Sequence, residues 1–164
     1  MEPKKFISIE NFVDESFEKL VNETINKSGV HGRDRSIIAR FGSSQPYPSF
    51  MISSQIPKFI ADLKLPFDYD SASISKYEEG DQIDWHIDLP SAGNRIMIIS
   101  MLSDAHLKFR KDNEVISFLM PRFSLSIFSD SLRWEWEHSL KSLNERTSIV
   151  FRNSREKIIK WNSK

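Results

Sequence analysis

Two periods divide the chain. Between Glu15 and about Lys27, Phe17, Leu20, Val21 and Ile25 recur at helical spacing, and Asp14 or Glu15 is placed to cap the segment. Gly29 and Gly32 end that pattern. The text from Arg33 to Phe50, RDRSIIARFGSSQPYPSF, is turn-rich and punctuated by Gly42, Pro46 and Pro48. A short second helix is predicted after Pro57, over KFIADLKL. Beyond Asp70 the period falls to two. SASISKY, QIDWHID, RIMIISML, AHLKFR, EVISFLM, FSLSIF, LRWEWEH and RTSIVFR read as successive strands joined by tight connections.

Short strands in close succession cannot each bury a face alone, so they predict an antiparallel double sheet or barrel of the jelly-roll kind. The fold class is therefore α+β and mostly β, with a helical and loopy N-terminal third followed by one β core. At 164 residues the chain is long enough for a single domain with a sizeable core.

Composition narrows the chemistry more than the fold. Lys plus Arg equals Asp plus Glu at 23 each, so attraction to a polyanion requires a local patch. There is no cysteine, which excludes disulfides, thiolate metal sites and cysteine nucleophiles; any metal must be held by His and carboxylate. The start, MEPKKFISIE, has no apolar signal segment, and the greasiest run, IMIISML, is far short of the ~20 residues of a membrane helix. A soluble, intracellular protein without membrane contact is expected.

One strand combines packing with chemistry. In DQIDWHIDLP, Ile83, Trp85 and Ile87 alternate with Asp84, His86 and Asp88, so an apolar face is expected to anchor the strand in the sheets while the other carries the imidazole and carboxylates. His86 and Asp88, two apart, have Cα atoms roughly 6–7 Å from each other on one face, close enough to share a metal. Taken alone, Asp84, His86 and Asp88 read more readily as a solvated strand face than as a metal site. A third ligand is needed, and His138 is the best placed; His106 and His31 are the other histidines. Two His and one carboxylate form the facial triad of non-haem Fe(II) oxygenases. In RTSIVFR, Arg146, Ser148, Val150 and Arg152 share one face and Thr147, Ile149 and Phe151 the other. Two guanidiniums along a strand are, alone, more often surface decoration; as part of a set with His86, Asp88 and His138 they suit a dicarboxylate co-substrate, since Arg grips carboxylates bidentately.

The order His86/Asp88, His138, Arg146/Arg152 resembles the AlkB family of 2-oxoglutarate- and Fe(II)-dependent dioxygenases. SKYEEGDQIDWHID is similar to that family's Y-x-x-G and H-x-D run, with Tyr77 and Gly80 in place; LMPRFSLSIFSDSLRWEWEHSL is similar to its L-P-R-x-S-L and R-Y-x-W-x-H run; and ARFGSSQPYPSF resembles its lid. The resemblance spans about residues 33–153. It implies one dioxygenase domain over 1–164, with 1–70 as helical support and lid, 71–153 as a double-stranded β-helix (jelly-roll) core and 154–164 as a C-terminal tail. It further implies that His86, Asp88 and His138 are catalytic and ligate Fe(II), that Arg146 pairs with the distal carboxylate of 2-oxoglutarate, and that Tyr77 bonds the same co-substrate. Arg152 would steady it near the metal end, and Ser75 and Ser148 face the pocket where many members carry Asn. O2 is the second co-substrate.

The expected reaction is oxidative demethylation or hydroxylation of a modified base in RNA or single-stranded DNA. Residues 27–40 support this locally: Lys27, Arg33, Arg35 and Arg40 against Asp34 give a net +3, next to the rings of Phe41 and Tyr47. Glu78, Glu79, Asp81 and Asp84 oppose it by crowding the approach to His86, and Pro90 stands where repair enzymes of the family often carry an acidic residue. The alternative is an oxygenase acting on a protein side chain or a small molecule. A non-catalytic domain with a decayed centre is disfavoured by the presence of all three ligands and both arginines.

Overall fold

Asp14 starts the first helix by accepting the Phe17 N–H on Oδ1 at 2.9 Å, which satisfies one of the donors a helix N-terminus leaves free. The computed structural model describes residues 4–27, 37–43, 51–53 and 55–159. Helix α1 (Glu15–Lys27) turns Phe17, Glu18 and Val21 inward, whereas Leu20 remains 42% exposed. The inward stripe is narrower than the apolar spacing predicts because Glu18, a charged residue, occupies part of it. Its two carboxylate oxygens accept from Arg122 Nη2 and Nε at 2.6 and 3.0 Å, and Oε2 also accepts the Leu102 N–H at 2.8 Å. Leu102 has a φ of 70°, so this bond holds a left-handed turn that its own side chain disfavours.

Burial pushes the Glu18 carboxyl up, but the bonds from Arg122 and Leu102 outweigh it and leave it below the ordinary carboxylate range. A carboxylate depressed by folding stabilises above its unfolded pKa and loses that contribution as pH falls through its lower folded value. Glu18→Gln is expected to cost about 1–2 kcal/mol at pH 7, a modest figure because Arg122 is partly open to solvent. Urea midpoints of variant and parent should begin to converge as pH falls below ~4, the ordinary carboxylate pKa, and a gap that does not narrow on further acidification would show that charge is not what Glu18 contributes.

Among the described residues, eleven strands form two sheets. The larger has the order β1 (Lys4–Ile9), β9 (Leu125–Ser129), β6 (Ile96–Met101), β11 (Arg146–Arg152), β4 (Ser71–Tyr77), β2 (Ile37–Gly42), β3 (Met51–Ser53). The smaller has the order β5 (Gln82–His86), β10 (Glu137–Lys141), β7 (Ala105–Lys111), β8 (Glu114–Met120). Neighbours are antiparallel except β2 and β3. Two cores result. One lies between the larger sheet and the helices α1 and α2 (Lys58–Ala61), and includes Phe17, Val21, Ile60, Ile74, Ile99 and Phe151. The other lies between the sheets and includes Tyr77, Ile98, Phe109, Phe128 and Leu140. β11 divides as its alternation predicts: Ile149 and Phe151 face the helices, and the Arg146–Arg152 face looks into the space between the sheets.

Three strand predictions, SASISKY, EVISFLM and RTSIVFR, coincide with observed strands at both ends. LRWEWEH does not form one strand. Its first part is helix α3 (Asp130–Trp134), the Ser131 carbonyl accepts from both Glu135 and Trp136 N–H, and β10 begins at Glu137. Leu132 and Trp136 are buried at helical spacing, and that spacing prevails over the alternation of Trp and Glu. The first seventy residues also supply β1, β2 and β3, beyond the helical support expected of them. β1 is an edge strand whose Ile7 and Ile9 are 39% exposed, so its alternation never reads as buried. No helix among the described residues is long and apolar enough to cross a membrane.

Candidate active site

A bulge aims the first ligand. β5 and β10 pair His86 with His138 and then Ile83 with Leu140, so Asp84 and Trp85 together oppose Ser139 alone. The extra residue breaks the alternation that the sequence predicts for QIDWHID. Ile83 now faces the inter-sheet cavity together with His86, Trp85 lies outside under the Arg110 guanidinium at 4.6 Å, and Ile87 is 40% exposed. The expected anchoring face of Ile83, Trp85 and Ile87 therefore does not exist. Bulges re-aim side chains at sites of chemistry, and here the strand is held instead by its hydrogen bonds to β10.

His86, Asp88 and His138 converge. One candidate ligand atom from each lies within 4.8 Å of the others. Asp88 Oδ1 is 3.2 Å from His86 Nε2 and 3.4 Å from His138 Nε2, and the two rings stand 4.2 Å apart. His86 Nδ1 donates to the Asp84 carbonyl at 2.8 Å, so Nε2 is the nitrogen that faces Asp88 and would offer its lone pair to a cation that displaces the proton there. His138 is walled by the rings of Phe128 and Phe109 at 5.1 and 5.9 Å.

The charges suit a cation between these atoms. Burial raises the Asp88 pKa, but the Arg152 charge and the hydrogen bonds from both histidines outweigh it and hold the carboxyl well below its usual range. Burial dominates at His138 and lowers its pKa, so the ring is neutral and able to donate a lone pair. Burial lowers His86 as well, yet Asp88 and the Asp84 carbonyl raise it overall, because a proton there takes the place a cation would fill. Two imidazole nitrogens and one carboxylate oxygen, free of thiolates, fit a facial Fe(II) site.

Arg152 reaches the cluster from β11 and donates Nε to Asp88 Oδ2 at 2.8 Å. One carboxylate oxygen thus serves the arginine and the other faces the histidines. Arg146, at the other end of the same strand face, is 1% exposed. Its Nη2 donates to Ser100 Oγ at 3.0 Å, its Nε has no hydrogen-bond partner, and among the described residues no carboxylate pairs with it. Burial pushes its pKa down. Tyr77, opposite Arg146 in the register, lies 5.4 Å from the guanidinium, and burial raises its hydroxyl pKa. Ser148 pairs with Ser75 on one side and Ser100 on the other, forming a row of small hydroxyls behind the arginine.

Between Arg146 and the His/Asp cluster lies a cavity of about 70 Å³, lined by Tyr77, Ile98, Leu107, Met120, Ser148, Val150 and both arginines among others. A single water needs roughly 10–15 Å³ of such space, so the cavity suits a small organic acid.

No family model and no curated protein sequence matches the chain. Solved structures do. OsALKBH1, an AlkB homologue, superposes with a TM-score of 0.66 at 13% identity, covering 93% of this chain and 100% of that one. A prolyl hydroxylase in complex with a hypoxia inducible factor oxygen degradation domain peptide fragment, from Trichoplax adhaerens, superposes with a TM-score of 0.55 at 17% identity, covering 91% of this chain and 83% of that one. The chain shares the jelly-roll fold of these structures.

Within that fold the remaining expected residues separate. Arg40 is buried on β2, on the face opposite Ala39 and Phe41. Phe41 is 5% exposed and belongs to the core beneath the helices, so it cannot stack on a base, and the expectation of a surface ring there is corrected. Arg33, Arg35 and Tyr47 lie outside the described residues. His106 is exposed on β7, away from the cluster.

One site residue matches the arginine of the R-Y-x-W-x-H run but receives no role from it. Arg133, on α3, is 1% exposed and donates to three backbone carbonyls, Nε to Gly93 at 2.7 Å, Nη2 to Leu89 at 2.8 Å and Nη1 to Asp88 at 3.0 Å. Burial pushes its pKa down to about 10, so it remains a cation at neutral pH. Within a run read as an alternating strand, Arg133 looks like one more surface charge. Only its place on a helix shows otherwise.

Proposed function

We propose that this protein is a 2-oxoglutarate- and Fe(II)-dependent dioxygenase of the AlkB-like type, acting on a modified base in nucleic acid. The observation that carries the chemistry is Arg146: a buried guanidinium that pairs with no carboxylate among the described residues faces a small cavity whose other end holds His86, Asp88 and His138. A buried charge is costly unless paired, so the site is built for an anion that arrives with the substrate. His86, Asp88 and His138 would hold Fe(II). Bound there with 2-oxoglutarate and O2, the metal supplies oxidation of a substrate C–H bond coupled to conversion of the keto-acid into succinate and CO2.

The protein's own residues fix geometry. Arg146 and Tyr77 would take the far carboxylate, while Ile98, Leu107, Met120 and Val150 enclose the methylenes. Ser148 lines the same cavity, and Ser75 stands beside it on β4. Arg152 orients Asp88 by occupying Oδ2, which turns Oδ1 to the histidines. Phe109 and Phe128 exclude water from the back of His138.

For the substrate, support for a base comes from the AlkB-like motif and from the likeness to OsALKBH1; Arg33, Arg35 and Tyr47 remain the residues proposed to meet it. A second reading, a peptide side chain, is favoured by the likeness to the peptide-bound prolyl hydroxylase and by the exposed Glu78, Glu79 and Asp84 next to β5, which repel phosphates. The test is succinate formation by the Fe(II)-loaded protein with methylated RNA and single-stranded DNA oligonucleotides and with a peptide library. Formaldehyde released from an oligonucleotide is the expected result. Hydroxylated peptide without any formaldehyde would transfer the assignment to the second reading.

A further inference from the structure

The segment that carries Asp88 has few apolar side chains to hold it: of its residues Ala92 alone joins a core, and the Asn153 N–H donates to the Ala92 carbonyl at 3.2 Å. β5 ends at His86, Ile87 and Leu89 are 40% and 49% exposed, and Pro90–Ala92 make a single 3-10 turn. Gly93 then takes a φ of 87°, and a Cβ there would stand 2.7 Å from the Asn153 carbonyl. Apolar burial does not fix such a loop, yet a metal ligand must be placed to within a few tenths of an ångström.

Resting on the metal-site reading above, we propose that Arg133 is a positioning residue: it binds the Asp88, Leu89 and Gly93 carbonyls to α3 and so sets Asp88 against His138. The carbonyls converge on one guanidinium at 2.7–3.0 Å, which matches its rigid planar fork of donors. Arg133 lies five residues before His138 on the α3–β10 path, and its contacts reach Asp88 45 residues earlier. One side chain therefore joins the two segments that supply the carboxylate and the second imidazole. Arg152 grips the Asp88 carboxylate itself, and Arg133 grips the backbone that carries it. The first arginine limits rotation of the side chain, and the second limits displacement of the loop.

A structural brace and a positioning residue differ in what their loss does to the metal. The experiment is titration of the full-length protein with Co(II) alone, followed by its visible absorption, for the parent, Arg133→Lys, Arg133→Met and Glu18→Gln. Lysine keeps the charge but cannot meet three carbonyls in one plane. Arg133→Lys is expected to bind Co(II) on the order of 10–100-fold more weakly with an altered spectrum, as losses behind metal ligands usually do. Arg133→Met should be at least as weak, or unfolded. Glu18→Gln, which lowers stability far from the loop, should bind as the parent does. Parent-like affinity and spectrum in a folded Arg133→Lys would overturn the proposal. A parent that binds no Co(II) would remove the metal-site reading itself, and this proposal with it.

Discussion

Arg146→Met is expected to make the free protein more stable and blind to 2-oxoglutarate. Arg146 is a fully buried cation whose Nε lacks a hydrogen-bond partner and which, among the described residues, meets the Ser100 hydroxyl and the Tyr77 ring and pairs with no carboxylate. Burying a charge without an opposite charge costs free energy, and replacing buried ionic groups by apolar ones of similar volume often stabilises by on the order of 1–4 kcal/mol. Methionine fills much the same length and leaves only the Ser100 hydroxyl without its bond. The thermal midpoint should therefore rise by several degrees, at roughly 2–4 °C per kcal/mol for a chain of this size. The parent should in turn be stabilised by 2-oxoglutarate with a divalent metal, since binding to the folded state alone adds to stability. The variant should show no such increment and no succinate formation. Thermal scans with and without co-substrate check both signs at once. A variant that is destabilised but still responds to 2-oxoglutarate would mean that Arg146 is a structural residue.

Asp88→Asn is expected to remove the metal with little change of shape. The side chain is 6% exposed, and its two oxygens are divided between partners, since Oδ2 accepts from Arg152 while Oδ1 faces His86 and His138. An amide of the same size must present its NH2 either to the guanidinium or to the imidazoles. Either way a donor meets a donor or the metal loses its one anionic ligand. Changes behind the ligands cost roughly 10–100-fold in metal affinity, so loss of the charged ligand itself should exceed ~100-fold. Turnover should fall with it. The fold should persist, because the two apolar cores do not include this residue. Breaking a buried ion pair at one partner is nevertheless destabilising, by about 3–5 kcal/mol, since Arg152 is left without its anion. Co(II) titration alongside circular dichroism separates the two effects. Retention of parental metal affinity in a folded Asn variant would exclude Asp88 as a ligand.

Much of the site is legible in linear order because its chemistry resides in residue types that alternation places on one face. RTSIVFR presents Arg146, Ser148 and Arg152 to the inter-sheet space as period two requires, and His138 meets His86 directly across paired strands. The same alternation misleads at QIDWHID and LRWEWEH. In the first, the bulge depends on how β5 registers against β10, a strand some fifty residues away, so no local pattern contains it. In the second, Leu132 and Trp136 satisfy both helix and strand spacing, and burial between the sheets decides for the helix.

The amino-acid sequence by itself determined the two periods, a helix start at Asp14 or Glu15, the faces of β11, and a candidate metal-binding set of two histidines and one aspartate without cysteine. Tertiary structure alone decided that Phe41 belongs to the core, that Arg152 holds Asp88, that Arg146 has no anion beside it among the described residues, and that Arg133 ties the Asp88, Leu89 and Gly93 carbonyls to α3. The physical reason is range. Periodicity reports which face of an element is apolar, a property of neighbours in the chain, whereas the partner of a buried charge is fixed by whichever distant segment folding brings within about 3 Å of it.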